Sequence, residues 1–212
     1  MNIVLLGSPG SGKGTQAQMI AKKYNLFYLQ TGAVARELAK TSTRIKEIVE
    51  SGKLIPEEEM TMHVLDFLKT NSGNLTNILF EGFPRFVLQY EALSNFLQEK
   101  GDDIDLVLSL DLTEEEAIKR VTSRRICSVC GEVYNLITNP PVSEATCVCG
   151  GKLIQREDDN PESISVRFKD YTENTKVLID YLDKKGLLTR VDGNRPIEVI
   201  FREITSIIDK VA

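Results

Sequence analysis

Tryptophan is absent from this 212-residue chain, histidine occurs once, and aromatic residues make up only 7% of it. The lone histidine, His63, falls in a predicted helix far from any motif, so it reads as structural or merely exposed, not as a catalytic acid or base. No basic stretch precedes the first apolar run, and that run, Ile3-Val4-Leu5-Leu6, is too short for a secretory signal or a membrane span. The chain is therefore expected in the cytosol, where thiols stay reduced. Positive charge is also in deficit. A net charge of −5 argues against the basic surface that nucleic-acid binders show.

The remaining composition, 42% hydrophobic and 27% charged, is that of a soluble globular protein with one full core and room for insertions. Short apolar runs alternate with helical spacing. Strands are expected at 3–6, 26–29, 77–80, 105–110 and 187–191. Helices are expected at about 12–24, 31–40, 43–50, 56–69, 86–99, 113–124, 161–185 and 196–210. Pro56 followed by Glu57, Glu58 and Glu59 is a favourable helix start, because acid in the first turn complements the dipole. Strands separated by helices predict an α/β fold with a five-stranded parallel sheet covered on both faces. The segment from about Arg125 to Asn160 breaks this rhythm with paired cysteines, Pro140-Pro141 and Gly150-Gly151, and reads as a small inserted subdomain.

Between the first strand and the first helix lies Gly7-Ser8-Pro9-Gly10-Ser11-Gly12-Lys13-Gly14-Thr15, which fits G-x-x-x-x-G-K. Glycines let backbone N–H groups turn inward, the following helix N-terminus favours an anion, and Lys13 puts a cation on the outer phosphates. Gly10, Ser11, Gly12, Lys13, Gly14 and Thr15 are thus candidate ligands of a nucleoside triphosphate. Gly14 intervenes where a strict Walker A motif has Ser or Thr, so Thr15 is the candidate Mg²⁺-side hydroxyl. The G-x-G-x-x-G spacing of a dinucleotide site is absent.

Further motifs follow in order: Thr31-Gly32-Ala33-Val34-Ala35-Arg36, Gly52-Lys53-Leu54-Ile55-Pro56, Glu81-Gly82-Phe83-Pro84-Arg85 with Gln89, Arg124-Arg125, Arg156-x-Asp158-Asp159, Arg167 and Val191-Asp192-Gly193. With Lys13-Gly14-Thr15, this series resembles the adenylate kinase family over essentially the whole chain. The resemblance implies a P-loop NTPase-type core at 1–29, 57–123 and 161–212, a helical monophosphate-binding region at 30–56, and a zinc-binding lid at 124–160. It implies reversible phosphoryl transfer from ATP to AMP, giving two ADP, with Mg²⁺ and with no nucleic-acid or membrane partner, by a cytoplasmic monomer. Thr31, Arg36, Lys53, Leu54, Ile55, Gly82, Phe83, Pro84, Arg85 and Gln89 would hold AMP. Arg36 and Arg85 would grip its phosphate, because a guanidinium fork matches phosphate oxygens. Arg124, Arg156 and Arg167 would surround the transferring group, where charge spreads over three oxygens. Val133, Tyr134 and Arg195 would adjoin ATP, with Tyr134 also packing in the lid. Arg125 has no phosphate role and reads as structural.

The chain departs from the family pattern at several positions. Ala33 and Glu81 stand where aspartate is usual, Arg195 where lysine is common, and Asn135 where histidine is common. Glu81, at the C-terminal end of a strand beside the phosphate loop, suits the water shell of Mg²⁺. Cys127, Cys130, Cys147 and Cys149 suggest a closed, structural Zn²⁺ site, with C-x-C replacing the usual second C-x-x-C. Four free thiols or a disulfide are the alternatives. Two other functions compete with phosphotransfer: a hydrolytic nucleotide switch, which leaves Arg36 and Arg85 unexplained, and a zinc-ribbon nucleic-acid module, which the few basic and aromatic residues near the cysteines disfavour. ATP against GTP as donor, and AMP against a close analogue as acceptor, stay open.

Overall fold

A computed structural model describes residues 1–71, 77–143, 145–156 and 158–211. The predicted core and lid ranges include a few positions outside these. Along the chain run strands β1 (Ile3–Gly7), β2 (Phe27–Gln30), β3 (Ile78–Glu81) and β4 (Leu106–Asp111). Next come β5 (Arg124–Cys127), β6 (Val133–Asn135) and β7 (Leu153–Ile154), and finally β8 (Leu188–Asp192). The helices are α1 (Lys13–Tyr24), α2 (Thr31–Ala39), α3 (Thr43–Glu50), α4 (Glu57–Asn71), α5 (Val87–Gln98), α6 (Glu114–Thr122), α7 (Pro161–Asp170), α8 (Lys176–Lys184) and α9 (Ile197–Ile208). Among the described residues, five strands form one parallel sheet in the order β2-β3-β1-β4-β8, with β1 at its centre.

The two-residue period of a strand builds two cores from one sheet. Val4, Leu6, Phe80 and Val107 face α4, α5 and α8, packing on Val64, Leu93, Leu178 and Leu182. Ile3, Leu5, Leu79 and Leu108 face the other way, onto Ala17 and Ile20 of α1 and Ile200 and Ile204 of α9. Both faces of β1 are therefore buried, which explains why its sequence is a continuous apolar run and not an alternating one.

The predicted elements all form, with ends displaced by one or two residues, as is usual where helices fray and caps decide. Side-chain caps fix several starts: Thr113 accepts from the N–H of Glu116 at 3.4 Å, and Asn160 accepts from that of Ser163 at 2.8 Å, with Pro161 opening α7. The helix expected over 161–185 is not uniformly α-helical. Tyr171–Thr175 is a π-helical segment joining α7 to α8. Tyr171 and Thr175 within it line the large cleft described below. The cysteine segment holds a small antiparallel sheet, β6-β5-β7, around Cys127, Tyr134, Cys147 and Leu153. Among the described residues, no helix is long and apolar enough to cross a membrane.

Candidate active site

The site begins where β1 ends. The chain turns through the glycine-rich loop and enters α1 at Lys13 with no acidic residue in the first turn, so the positive end of the helix is uncompensated. Gly10 is indispensable to this path. Its φ is +79°, and a Cβ there would lie 2.6 Å from the carbonyl oxygen of Ala117 on α6. The Lys13 ammonium folds back onto the loop, donating to the carbonyls of Gly7 at 2.8 Å and Ser8 at 2.7 Å. Desolvation in the depth of the cleft pushes its pKa down to about 7. Nearby Arg85, Arg167 and Arg124 push in the same direction, and Glu81 opposes them.

The loop forms the floor of a cleft of about 760 Å³ that reaches into both inserted regions. The cleft is lined by Gly10, Ser11, Gly12, Lys13, Gly14 and Thr15 from the loop, and by Thr31, Arg36, Lys53, Leu54 and Ile55 from the first insertion. Glu81 at the end of β3, Gly82, Pro84 and Arg85 in the segment after it and Gln89 on α5 also line it, and Arg124, Val133, Tyr134, Arg156, Arg167 and Arg195 complete the wall. Phe83 is the exception among the expected contacts. It is fully buried in the apolar core and does not line the cleft.

Buried carboxylate holds much of the guanidinium cluster in place. Asp159 is 1% exposed. It receives Arg124 through Nε at 2.8 Å and through a second, shorter contact from Nη2, and it receives Arg167 Nη1 at 3.2 Å. Arg167 also reaches Asp158 Oδ2 at 3.3 Å. One acid thus orients two cations at a site where they would otherwise repel each other. Loss of hydration, then Arg124 and Arg36, bring the pKa of Arg156 down to about 10. Arg36, from the first insertion, and Arg156, from the cysteine-bearing one, therefore face the same space. Burial also lowers the pKa of Arg85, whose Nε donates to the Gly82 carbonyl at 2.9 Å. Gly82 has a φ of +83° and leaves no room for a Cβ, which would meet Thr31 Oγ1 at 2.6 Å.

Gln89, expected to read a base edge, is 2% exposed and already engaged. Its Oε1 accepts from the Arg85 N–H at 2.8 Å, and its Nε2 donates to the Glu57 carbonyl at 3.2 Å. One N–H and one lone pair remain for a ligand. Arg195 borders the cleft while bonded to the Asp192 carbonyl at 3.2 Å and paired with Glu203. Arg125 donates to the Thr122 and Arg124 carbonyls, matching its structural reading. His63 is partly exposed, its Nε2 4.0 Å from Glu59. Asn135 ties β6 to α6 by donating to the Arg120 carbonyl at 2.7 Å. Sequence reasoning missed Arg120, which lines the cleft and is held by Glu116 at 3.0 Å and by the Gly193 carbonyl at 2.9 Å. It also missed the anchoring role of Asp159. The only signal for the first was the i,i+4 spacing of Glu116 and Arg120.

The four cysteine sulfurs lie within 4.8 Å of one another, and no cysteine is in a disulfide. Neighbouring sulfurs are 3.4 Å (Cys127–Cys149 and Cys130–Cys149) and 3.6 Å (Cys130–Cys147) apart. A tetrahedron with Zn–S bonds of about 2.3 Å has edges of about 3.8 Å, so the C-x-C pair closes a cage compatible with zinc. The N–H groups of Val129 and Cys130 point at the Cys127 sulfur, 3.4 and 3.5 Å away. Gly151 is needed alongside, since a Cβ there would come within 2.5 Å of that same sulfur.

A glycine loop at the centre of a parallel sheet, faced by guanidinium groups from two insertions, defines a P-loop NTPase-type protein. Comparison with known proteins narrows this class. A family model described as adenylate kinase matches residues 5–187. The chain is 42% identical to an adenylate kinase of Archaeoglobus fulgidus over 216 residues, covering 100% of this chain and 99% of that protein. It is 39% identical to one of Staphylococcus aureus (99% of each chain) and 40% identical to one of Oceanobacillus iheyensis (99% and 100%). The chain belongs to the adenylate kinase family and is, with it, a nucleoside monophosphate kinase.

The lowered pKa of Lys13 gives a signature of anion binding. Above about pH 7 the ligand-free ammonium loses its proton, and a bound polyanion raises its pKa again. ATP binding at roughly pH 8.5 should then draw close to one proton from solution, measured by calorimetry in buffers of different ionisation enthalpy. The Lys13→Met protein should take up none.

Proposed function

We propose that this protein transfers the terminal phosphoryl group of ATP to AMP, reversibly, giving two ADP. The observation that carries this reading is the convergence of Lys13, Arg36, Arg85, Arg124, Arg156 and Arg167 on one cleft from separate parts of the chain. A hydrolytic switch has no need of an acceptor clamp. Two polyanions aligned end to end require one.

In this reading an oxygen of the AMP phosphate attacks the γ-phosphorus. The new O–P bond forms as the bond to the β–γ bridging oxygen breaks, and ADP leaves. No general base is needed, because a phosphate monoester has its second pKa near ~6 and is already ionised at neutral pH. Arg36 and Arg85 hold the acceptor phosphate, while Thr31, Gln89 and the backbone of Lys53 to Ile55 hold its base and sugar. Lys13, the loop N–H groups, Arg124, Arg156 and Arg167 stabilise charge on the transferring group. Arg195, Val133 and Tyr134 adjoin the donor nucleoside. Residues 30–56 and 124–160 close over the nucleotides and exclude water, which would otherwise accept the phosphoryl group.

Thr15 and Glu81 line the same cleft, and Glu81 Oε1 has no hydrogen-bond partner among the described residues, so the donor set suits a hard cation. Thr15 and Glu81 would hold Mg²⁺, which would supply positive charge against the phosphates. Zn²⁺ on the four cysteines is structural and staples a lid whose own apolar core is very small. The protein acts in the cytosol as a monomer, without a nucleic-acid or membrane partner.

A coupled assay should show ADP formed from ATP and AMP together, with no turnover when AMP is omitted. Lys13→Ala should lower kcat at least ~10³-fold, and Arg85→Ala should raise the KM for AMP and lower kcat by roughly 10²-fold or more. Arg85→Ala kinetics equal to wild type would refute the acceptor site. Chelation of zinc should lower Tm by several degrees while leaving the initial rate at low temperature nearly unchanged. An immediate loss of rate with Tm unchanged would mean the metal is not a staple.

A further inference from the structure

Glu81 is not a free carboxylate at the end of a strand. β2 and β3 run parallel with Gln30 opposite Glu81 and Tyr28 opposite Leu79. Tyr28, Gln30 and Glu81 therefore point to one face, the face that α1 covers. There Gln30 Nε2 donates to Glu81 Oε2 at 2.8 Å, and the Tyr28 hydroxyl donates to the same oxygen at 3.3 Å. Gln30 Nε2 also lies 2.9 Å from the Tyr28 oxygen, closing a triangle. Both donors are on one carboxylate oxygen, which leaves Oε1 for the cleft that Glu81 and Gln30 line.

The triangle lies directly beneath the phosphate loop. A Cβ built on Gly14 would touch Gln30 Nε2 at 3.7 Å and the Tyr28 hydroxyl at 3.9 Å. Glu81 is also the strongest favourable charge acting on both Lys13 and Arg85. The chain carries no carboxylate at position 33, where Ala33 is exposed on α2. Among the described residues lining the cleft, Glu81, Glu116 and Asp158 are acidic. Glu116 is paired with Arg120, and Asp158 with Arg167. Glu81 alone of the three makes no ion pair in the structure. A glutamate has one more rotatable bond than an aspartate, so an unsupported Glu81 would sample several orientations.

We propose that Tyr28 and Gln30 are positioning residues for the phosphoryl-transfer site: they lock Oε2 of Glu81 so that Oε1 is presented, pre-oriented, to the hydrated divalent cation of the bound nucleotide. This rests on the phosphotransferase reading above. The lock replaces stiffness lost with the longer side chain, and the triad of Tyr28, Gln30 and Glu81 acts as a unit.

The test uses the full chain and Mn²⁺ as the probe. Affinity of Mn²⁺ for the protein–ATP complex is read from its paramagnetic resonance spectrum, alongside the Mg²⁺ concentration for half-maximal rate. Gln30→Ala and the conservative Tyr28→Phe should each weaken Mn²⁺ about threefold to tenfold, with a matching shift of the Mg²⁺ curve. The KM for AMP should stay within about twofold of wild type. In a Glu81→Asp background, where the shorter side chain withdraws from the lock, adding Gln30→Ala should cause no further loss. Unchanged Mn²⁺ affinity in both folded single variants, or full additivity with Glu81→Asp, would overturn the proposal. If the wild-type protein itself transferred no phosphoryl group to AMP, the parent reading would fail instead, so the two failures are distinguishable.

Discussion

Like charges do not collect in a cleft unaided, yet here two ammonium and seven guanidinium groups line a single cavity. The pKa values of Lys13, Arg85, Arg156 and Arg167 are lowered by burial first and then by their mutual repulsion. The fold contains it by placing Asp159 under Arg124 and Arg167, and Glu81 between Lys13 and Arg85. The balance of charge in the cleft lining remains positive. A polyanion entering the cleft therefore meets groups already desolvated and oriented, which is the arrangement that favours a charge-spreading transition state over hydrated reactants.

This constraint explains why the cleft draws on three parts of the chain. The sheet supplies a rigid floor, since β1 is paired on both sides and buried on both faces. The insertions supply Arg36 and Arg156; the first is continuous with the main core through Ile45 and Ile55, whereas the cysteine-bearing one has a buried cluster of its own. Gly52 packs on the backbone of Ser163, while Ser163 Oγ donates to the Glu50 carbonyl at 2.8 Å, tying the end of α3 to α7. Asn135 ties the lid to α6. The cysteine-bearing segment has little apolar burial of its own, its cluster among the described residues being Cys127, Tyr134, Cys147 and Leu153.

Much of this was legible in the sequence, and the parts that were not share a cause. Alternating apolar runs reported β1, β3 and β4 because burial on both faces leaves no choice of residue. The phosphate loop was legible because glycines with positive φ and a lysine at fixed spacing have few other uses. Arg36 and Arg85 were found through ordered motifs. Asp159 was quoted among those motifs, but its anchoring role depends on a fold that brings β5 beside the start of α7. Tyr28 and Gln30 were invisible as functional residues because their role follows from the register between β2 and β3, which no local pattern encodes. The π-helical segment at Tyr171–Thr175 escaped for the same reason, since its residues suit an ordinary helix equally well.

The most direct measurement is a calorimetric titration of the full chain with a bisubstrate mimic, two adenosines joined by five phosphates, compared with ATP and AMP alone. The expected result is one mimic per chain, bound at least ~10²-fold more tightly than ATP, with an affinity that falls steeply as salt is raised. A mimic bound no more tightly than ATP, or two mimics per chain, would contradict the convergence of these cations on a single pair of nucleotides.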